Sequence, residues 1–289
     1  MKHKLRKILW AAAALVLALS GVQIVGGDLL TPRELTQETA VHFIDVGQGD
    51  ASLLLSGGQA VLIDAGTAES GGTVVRYLKE LGVTELYAAV ATHPHADHIG
   101  GMAQVIQAFS PTHFYMGPET QNTATYRDML DALEAAGIQP TIPEDGETLE
   151  FDSGAALTFL GPADDVSAKE LNDRSLITLF RAGQTVLFMG DAETPAERSL
   201  LTHHPQLRCD VLKVGHHGAA TSSSEAFLRT VQPSVAVISC GVDNDYGHPS
   251  KQTLQNLSLA GVDDIRITAE QGTVVLPLHL PASDKEDAA

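Results

Sequence analysis

Cysteine is scarce in this chain, which has only Cys209 and Cys240 among 289 residues. The apolar runs around them predict two consecutive strands, with Cys209 at the start of the first and Cys240 at the end of the second. A helical crossover would make these strands parallel, and strands of about six residues would then place the two cysteines roughly 20 Å apart. No disulfide spans that distance, so we expect both thiols to be free.

Basic residues are also few. The chain has 18 lysines and arginines against 36 acidic residues, which gives a formal net charge of −18. Residues 1–20 hold four basic residues and no acidic one, so their removal would bring the net charge to −22. This charge favours solubility and argues against a broad basic groove for nucleic acid, although bound divalent cations would reverse the field locally.

Several catalytic motifs are missing as well. The sequence has no GxSxG elbow for a serine nucleophile, no GxGxxG pattern for a dinucleotide and no GxxxxGK[ST] loop for a nucleoside triphosphate. It also has no fixed-period repeat and no low-complexity segment. These absences leave a globular domain whose chemistry must come from other residues.

The N-terminal segment differs from the rest of the chain. Four basic residues precede the apolar run ILWAAAALVLAL, which is typical of an export signal. Ala18 and Ser20 form a small-x-small cleavage site, whereas an uncleaved membrane attachment would use residues 8–25. Residues 1–27 therefore predict a signal peptide or an N-terminal membrane anchor, and hence a secreted protein or one anchored with its body outside. Residues 28–40 are polar and predict a linker.

Residues 41–280 alternate strand and helix patterns, which predicts a single domain of the α/β class. Helical spacing is clear in GGTVVRYLKELGV and in TATYRDMLDALEAAGI, where we expect Tyr126, Leu130 and Leu133 on one face. Residues 281–289 predict a flexible tail.

Potential metal ligands follow four of the apolar strands. YAAVATH ends at His93, TVLFMGD at Asp191 and DVLKVGHH at His216 and His217, and SVAVISCG precedes His248. Ligands of open α/β sheets collect at the carboxyl ends of strands. The pattern therefore predicts that residues distant in sequence converge on one site.

The segment ATHPHADHIGG, residues 91–101, concentrates such ligands in one turn. His93 and His95 alternate around a proline and can reach one metal, while Asp97 and His98 begin the next turn and can reach a second. Imidazole and carboxylate ligands suit Zn²⁺ or Mn²⁺, so the spacing predicts two divalent metal ions. The glycines at 100 and 101 either let the following helix approach closely or have a plain turn role.

THPHADHIGG resembles the signature motif of the metallo-β-lactamase superfamily. The segments FIDVGQGDASLLL, NDRSLITLF, VLFMGDAE, LKVGHHGAATSSS and YGHPS, in this order, are similar to the C-terminal hydrolase domain of ComEC-type competence proteins. The resemblance covers residues 41 to about 276. It implies an α/β (α+β) fold, a four-layer αββα sandwich, and a dinuclear metal hydrolase that acts on phosphodiesters or nucleic acid.

The resemblance also implies roles for individual residues. The matching metal ligands are His93, His95, Asp97, His98, the bridging Asp191, and one of His216 and His217. The superfamily usually has one more histidine before the bridging aspartate, and here Asn172 in LNDRSL stands at the matching place. His113, the only histidine in that interval, is expected on the face of a short strand.

Other polar residues have two interpretations each. Asp97 is predicted to orient the attacking hydroxide, and His248 either to serve a leaving group or phosphate or to order its loop. The run TSSS at residues 221–224 suits a helix N-cap, and its N–H groups could alternatively receive an anionic substrate. Asp45, Gln48 and Asp50 either orient the ligands or serve only in their turn, and Asp64 is a similar candidate for orienting the ligands.

The leading hypothesis is an exported dinuclear phosphodiesterase or nuclease, with single-stranded DNA or RNA as the best substrate. One alternative is hydrolysis of a lactam, lactone or choline phosphoester, and another is a noncatalytic surface protein stabilised by metal. Structural zinc sites close at four ligands, whereas six or more candidates here favour two metals with open positions.

Overall fold

The computed structural model describes residues 23–25, 28–30, 36–162, 165–167 and 169–280. The expected export segment, apart from Gln23–Val25, and the expected tail lie outside these residues. Gln23–Val25 forms strand β1, which pairs antiparallel with β2 (Asp28–Leu30) inside the segment expected to be a linker. Among the described residues, no helix is both long and apolar enough to cross a membrane.

Two mixed sheets form the centre of the domain. The first has six strands in the order β15-β3-β4-β5-β6-β7. Its strands are β3 (Ala40–Phe43), β4 (Ser52–Ser56), β5 (Gln59–Ile63), β6 (Ala88–Ala91), β7 (His113–Met116) and β15 (Val274–Pro277). β5, β6 and β7 are parallel, whereas β15, β3, β4 and β5 pair antiparallel.

The second sheet has seven strands in the order β14-β13-β12-β11-β10-β9-β8. Its strands are β8 (Thr148–Glu150), β9 (Ala156–Phe159), β10 (Thr178–Ala182), β11 (Gln184–Phe188), β12 (Val211–Lys213), β13 (Val235–Ile238) and β14 (Asp264–Ile267). β11 to β14 run parallel, so their carboxyl ends lie at one edge of the sheet.

Helices cover the outer faces of both sheets. They are α1 (Gly71–Glu80), α2 (Ala96–Ile99), α3 (Met102–Phe109), α4 (Ala124–Ala136), α5 (Thr194–His203), α6 (Glu225–Val231), α7 (Lys251–Leu259) and α8 (Thr268–Gln271). Short 3₁₀ turns at Asn172–Arg174 and Gly215–Gly218 complete the described helical structure.

Three apolar cores separate the layers. The middle core joins the two sheets, with Phe43 of β3 stacked on Phe188 of β11 at a centroid distance of 5.9 Å. A second core packs the six-stranded sheet against α1, α3 and α4, and a third packs the seven-stranded sheet against α5, α6 and α7. This arrangement confirms the predicted four-layer αββα sandwich.

Two details of the sequence prediction can be checked in the packing. Cys209 and Cys240 are buried free thiols beside the parallel strands β12 and β13, as expected. On α4 the buried face contains Tyr126, Met129 and Leu133, whereas Leu130 is 36% exposed, so its expected place on that face is wrong. Leu130 lies one residue past Met129, and one residue turns a helix by about 100°.

The turn after α2 brings two backbones into direct contact, which supports the close-approach interpretation of the paired glycines. A Cβ on Gly101 would collide with the carbonyl oxygen of Ala65 and would lie 2.7 Å from the Cα of Gly71. Backbone hydrogen bonds from Ala65 N to His98 O and from Gly101 N to Gly66 O join the same segments. The close approach therefore fixes the ligand-bearing turn against the loop that follows β5.

We expect Gly101→Ala to lower the free energy of unfolding by about 3 kcal/mol, because the added methyl has no space. Gly72→Ala is the matched control, since a Cβ there meets only Gln104 Oε1 at 3.7 Å. The control should stay within about 1 kcal/mol of wild type. Chemical denaturation measures both, and equal stabilities for the two variants would contradict the close-approach argument.

Candidate metal centre

Asp191 lies at the centre of the site, directly after β11, and its side chain is only 3% exposed. Nε2 of His98 is 3.1 Å from its Oδ1, and Nε2 of His217 is 3.5 Å from the same oxygen. Nε2 of His93 is 3.7 Å and Nε2 of His216 is 3.8 Å from Oδ2. The two carboxylate oxygens therefore face two different pairs of histidines.

Two further residues extend these pairs. Asp97 Oδ2 lies 3.3 Å from His217 Nε2, on the Oδ1 side of Asp191. His95 Nδ1 lies 3.0 Å from His93 Nε2, the nitrogen that faces the Oδ2 side. The sequence prediction that Asp97 and His98 belong together, and that His93 and His95 belong together, matches this placement.

Each of the four imidazoles whose Nε2 faces Asp191 has a partner at its second ring nitrogen, Nδ1. Nδ1 of His98 is 2.7 Å from Asp64 Oδ2, and Nδ1 of His216 is 2.7 Å from Glu193 Oε1. Nδ1 of His217 donates to the carbonyl of Ser239 at 3.0 Å, and Nδ1 of His93 lies 3.2 Å from the Thr92 hydroxyl. Acceptors at Nδ1 assign the proton there and leave the lone pair on Nε2, as in metal-binding histidines.

The backbone explains how two adjacent histidines face different oxygens of Asp191. His216 and His217 both have positive φ, 47° and 53°, inside the short turn after β12. This left-handed conformation is uncommon for residues with a side chain. Here it directs the half-buried His216 towards Glu193 and the buried His217 towards Asp97.

Burial and mutual attraction set the protonation of the cluster. Burial would lower the pKa of His98, but Asp191 and Asp64 outweigh it and hold that pKa well above the usual range. Burial would raise the pKa of Asp191, but His98 and His217 hold it well below the usual range. Burial lowers the pKa of His93, and His98 lowers it further. A metal ion bound here would replace protons as the positive charge beside Asp191.

The donor set fits divalent metal ions. Buried atoms without a hydrogen-bond partner among the described residues include four at this site, Asp191 Oδ1, His98 Nε2, His217 Nε2 and Asn172 Oδ1. Such orphaned atoms are rare in folded proteins and need an ion or water to satisfy them. Donor atoms of His93, His98 and Asp191, and those of Asp97, His98 and His217, lie within 4.8 Å of one another in each group.

Comparison with known proteins agrees with this geometry. The family model of the metallo-beta-lactamase superfamily matches residues 44–242. The chain belongs to the metallo-β-lactamase superfamily. Its αββα layers and its buried histidine and aspartate ligands support a metal-dependent hydrolase of that superfamily.

Curated relatives point to the competence branch of the superfamily. "ComE operon protein 3" of Bacillus subtilis is 28% identical over 288 residues, covering 89% of this chain and 36% of the relative. "Competence protein ComA" of Neisseria gonorrhoeae is 30% identical over 231 residues, covering 79% of this chain and 31% of the relative. The chain thus spans about a third of the length of these relatives.

Among solved structures, the metallo hydrolase Igni18 of Ignicoccus hospitalis has a TM-score of 0.55 with this chain. It is 18% identical, and the match covers 83% of this chain and 100% of that one. At this identity the likeness supports the superfamily fold alone.

Asn172, which the resemblance aligns with the usual superfamily histidine, lies next to His216. Asn172 Nδ2 is 3.4 Å from both His216 Nδ1 and Glu193 Oε1. His113 lies at the exposed start of the short strand β7, as predicted. Its ring contacts those of Tyr87 and Tyr115. The missing histidine is therefore not supplied by His113.

Of the residues predicted to orient the ligands, Asp64 and Asp50 lie beside histidines of the site, whereas Asp45 does not. Asp64 accepts hydrogen bonds from Thr92 N, Thr92 Oγ1 and His98 Nδ1, at 2.9, 2.7 and 2.7 Å. Asp50 Oδ1 lies 3.7 Å from His217 Nδ1. Asp45 is exposed and accepts from Gly47 N at 3.0 Å, so it has only the turn role.

Sequence analysis missed two supporting residues. Lys213 is fully buried in β12 and lies 2.8 Å from Asp50, which links the two sheets beside His217. Glu193 holds His216 from the loop after Asp191. A lysine inside the apolar run DVLKVG was the available signal for the first, because buried lysines are almost always paired.

The TSSS run has the predicted capping role. Ser224 Oγ accepts from Phe227 N at the start of α6. The buried carboxylate of Glu197 accepts from the N–H groups of Ser223 and Ser224, and burial raises its pKa to about 6. These amides are already paired within the chain, so the alternative that they bind an anionic substrate is wrong.

The ligands open onto a pocket of about 370 Å³. Its lining includes Gln48, Asp97, Asp191, Tyr246 and His248. The His248 ring lies 5.5 Å from that of His216, and its buried Nδ1 has no hydrogen-bond partner among the described residues. The loop also depends on His248, whose backbone N–H and carbonyl both bond the Asn244 side chain.

We expect Asp64→Asn to weaken the binding of Zn²⁺ or Mn²⁺ by about 10–100-fold, because it removes the carboxylate that orients His98. Asp45→Asn is the matched control and should bind like wild type, since Asp45 is exposed and makes only a turn contact. Titration against a chelator of known affinity measures both. An Asp64→Asn protein that is folded and binds metal like wild type would contradict the orienting role.

Proposed function

We propose that this chain is an exported dinuclear metal-dependent phosphodiesterase that acts on single-stranded DNA or RNA. The observation that carries the proposal is the position of Asp191, whose two oxygens face separate sets of histidines. The competence names of the relatives support nucleic acid as the substrate class.

The ligands divide between two ions in this proposal. His93, His95 and His216 would hold one ion, Asp97, His98 and His217 would hold the other, and Asp191 would serve both. His216 has the same arrangement as the three other imidazoles, with Nδ1 on an acceptor and Nε2 towards Asp191. It therefore takes the place of the histidine that the sequence lacks, while Asn172 contacts His216 at the pocket wall.

Two bound divalent ions would lower the pKa of a water molecule and neutralise the charge that develops on a phosphodiester. The chain supplies the orientation. Asp97 is 31% exposed and lines the pocket, where it would accept a hydrogen bond from the attacking water. His248 lines the same pocket and would serve the leaving oxygen or a phosphate oxygen.

Charge limits how a polyanion can bind. The formal net charge is −18, and none of the described residues that line the pocket is a lysine or arginine. Nearby cations are paired, Lys213 with Asp50 and Arg174 with Glu119. Binding in this proposal is local to the metal site, which suits a short or single-stranded substrate better than a duplex.

The metal arm of the test uses wild type, Asp191→Asn, His216→Ala and the control His113→Ala. After dialysis, wild type and the control should each retain about two divalent ions per chain, as in two-metal sites. Each of the other variants should lose at least one ion, measured by elemental analysis. A single ion in wild type, unchanged by Asp191→Asn, would contradict the dinuclear assignment.

The substrate arm compares a bis-aryl phosphate, single-stranded DNA, RNA, a choline phosphoester, a lactone and a chromogenic lactam. We expect Mn²⁺- or Zn²⁺-dependent cleavage of the bis-aryl phosphate and of single strands, inhibited by salt. Asp97→Asn should lower kcat/KM by about 100-fold or more, since even partners of ligands cost 10–100-fold.

Other outcomes of this assay separate the alternatives. Turnover of only the lactam or the lactone would reject the phosphodiesterase, whereas turnover of only the choline phosphoester would keep phosphoester hydrolysis and reject nucleic acid as the substrate. Full metal content without turnover of any substrate would favour a noncatalytic surface protein stabilised by metal.

Export is proposed from residues 1–27, whose basic start and apolar run are typical of a signal peptide or anchor. A fusion of residues 1–40 to a reporter that is active only after export should be active. An inactive but stably produced fusion would reject this part of the proposal.

A further inference from the structure

The loop after β13 displays an aromatic ring at the mouth of the pocket. Tyr246 is 71% exposed and is the only exposed aromatic side chain among the described residues. Its ring stacks on His248, with centroids 5.6 Å apart and planes inclined by 23°. His248 in turn lies 5.5 Å from the ring of His216, so two ring-to-ring steps connect Tyr246 with the metal ligands.

The loop that carries this ring is fixed by hydrogen bonds. Asn244 donates to the carbonyls of Gly241 and His248, at 2.9 and 2.6 Å, and accepts from His248 N at 2.9 Å. Gly241 N donates to Gln48 Oε1 at 3.1 Å, which attaches the loop to the turn between β3 and β4. Because these bonds order the loop without Tyr246, packing does not explain why an aromatic residue is placed there.

An exposed ring on a rigid support is suited to stacking. A planar ligand that stacks on it loses little loop entropy, since the loop is already ordered. The pocket has no lysine or arginine among its described lining residues, so no cationic side chain there adds affinity for phosphates away from the metal site. Stacking of a base on an aromatic ring needs no positive charge and tolerates any sequence.

We propose that Tyr246 is a stacking platform for a nucleobase next to the scissile phosphodiester. The inference rests on the proposed phosphodiesterase function and deepens it by making the substrate a nucleotide with an unpaired base. A paired base has its faces covered by its neighbours in the duplex and cannot stack on Tyr246, so this platform selects single strands.

The first test compares two substrates that share one aryl leaving group, the aryl phosphodiesters of thymidine and of ethanol. The variants are Tyr246→Leu, which removes the ring, Tyr246→Phe, which keeps it, and Val242→Ala as a control at a 70% exposed residue of the same loop. Tyr246→Leu should raise KM about tenfold more for the thymidine ester than for the ethyl ester. Tyr246→Phe and Val242→Ala should keep the wild-type ratio of the two KM values.

An equal change of both KM values in Tyr246→Leu would overturn the platform and indicate a role in loop order alone. A loss of the wild-type ratio in Tyr246→Phe would also overturn it, because the hydroxyl rather than the ring would then recognise the substrate.

The second test does not depend on turnover. Tyr246→Trp is made in a Trp10→Phe background, so that the reporter is the only tryptophan in the chain. Thymidine monophosphate should quench its fluorescence in the metal-loaded protein, whereas deoxyribose phosphate should not. Quenching without any phosphodiester turnover would support the stacking role of Tyr246 and reject the proposed activity. Turnover of the thymidine ester without quenching would support the activity and reject the stacking role.

Discussion

A buried carboxylate is the constraint on which the rest of this structure depends. Asp191 is almost completely removed from water, and an isolated charge in such a position is strongly unfavourable. Four histidine side chains point Nε2 towards that charge, and a hydrogen-bond acceptor holds each ring at Nδ1. Asp64 and Glu193 each hold one of these rings in place. They are needed because a ring free to rotate would leave the Asp191 carboxylate unpaired.

The site also depends on the contact between the two sheets. His93 and Asp64 come from the six-stranded sheet, whereas Asp191 and His217 follow strands of the seven-stranded sheet. Stacked apolar side chains between the sheets set their separation, and the buried pair of Asp50 and Lys213 joins them beside the ligands. A change of core volume far from the pocket would therefore alter the distance between ligands that belong to different sheets.

The resemblance to the superfamily predicted the layers, and sequence patterns predicted the ends of the strands that carry the candidate ligands and the grouping of His93 with His95 and of Asp97 with His98. They could not predict the different orientations of His216 and His217, because the left-handed backbone of that turn follows from packing rather than from residue type. Glu197 was missed for a similar reason, since only the folded chain brings it to the amides of Ser223 and Ser224. Helical periodicity could not place Leu130, because the neighbouring Met129 occupies the buried face of α4 instead.

The pairing of β15 with β3 has a consequence for the order in which the protein is assembled. The last strand of the domain completes the sheet that the first strands begin, with Val274 opposite Phe43. A ribosome therefore makes the turn with His93 and His98 long before it makes Asp191, His217 or the strand that closes the edge. Four of the seven proposed ligands, His93, His95, Asp97 and His98, are therefore made before the other three, and a site that needs all seven would bind its metal ions only after the domain has folded.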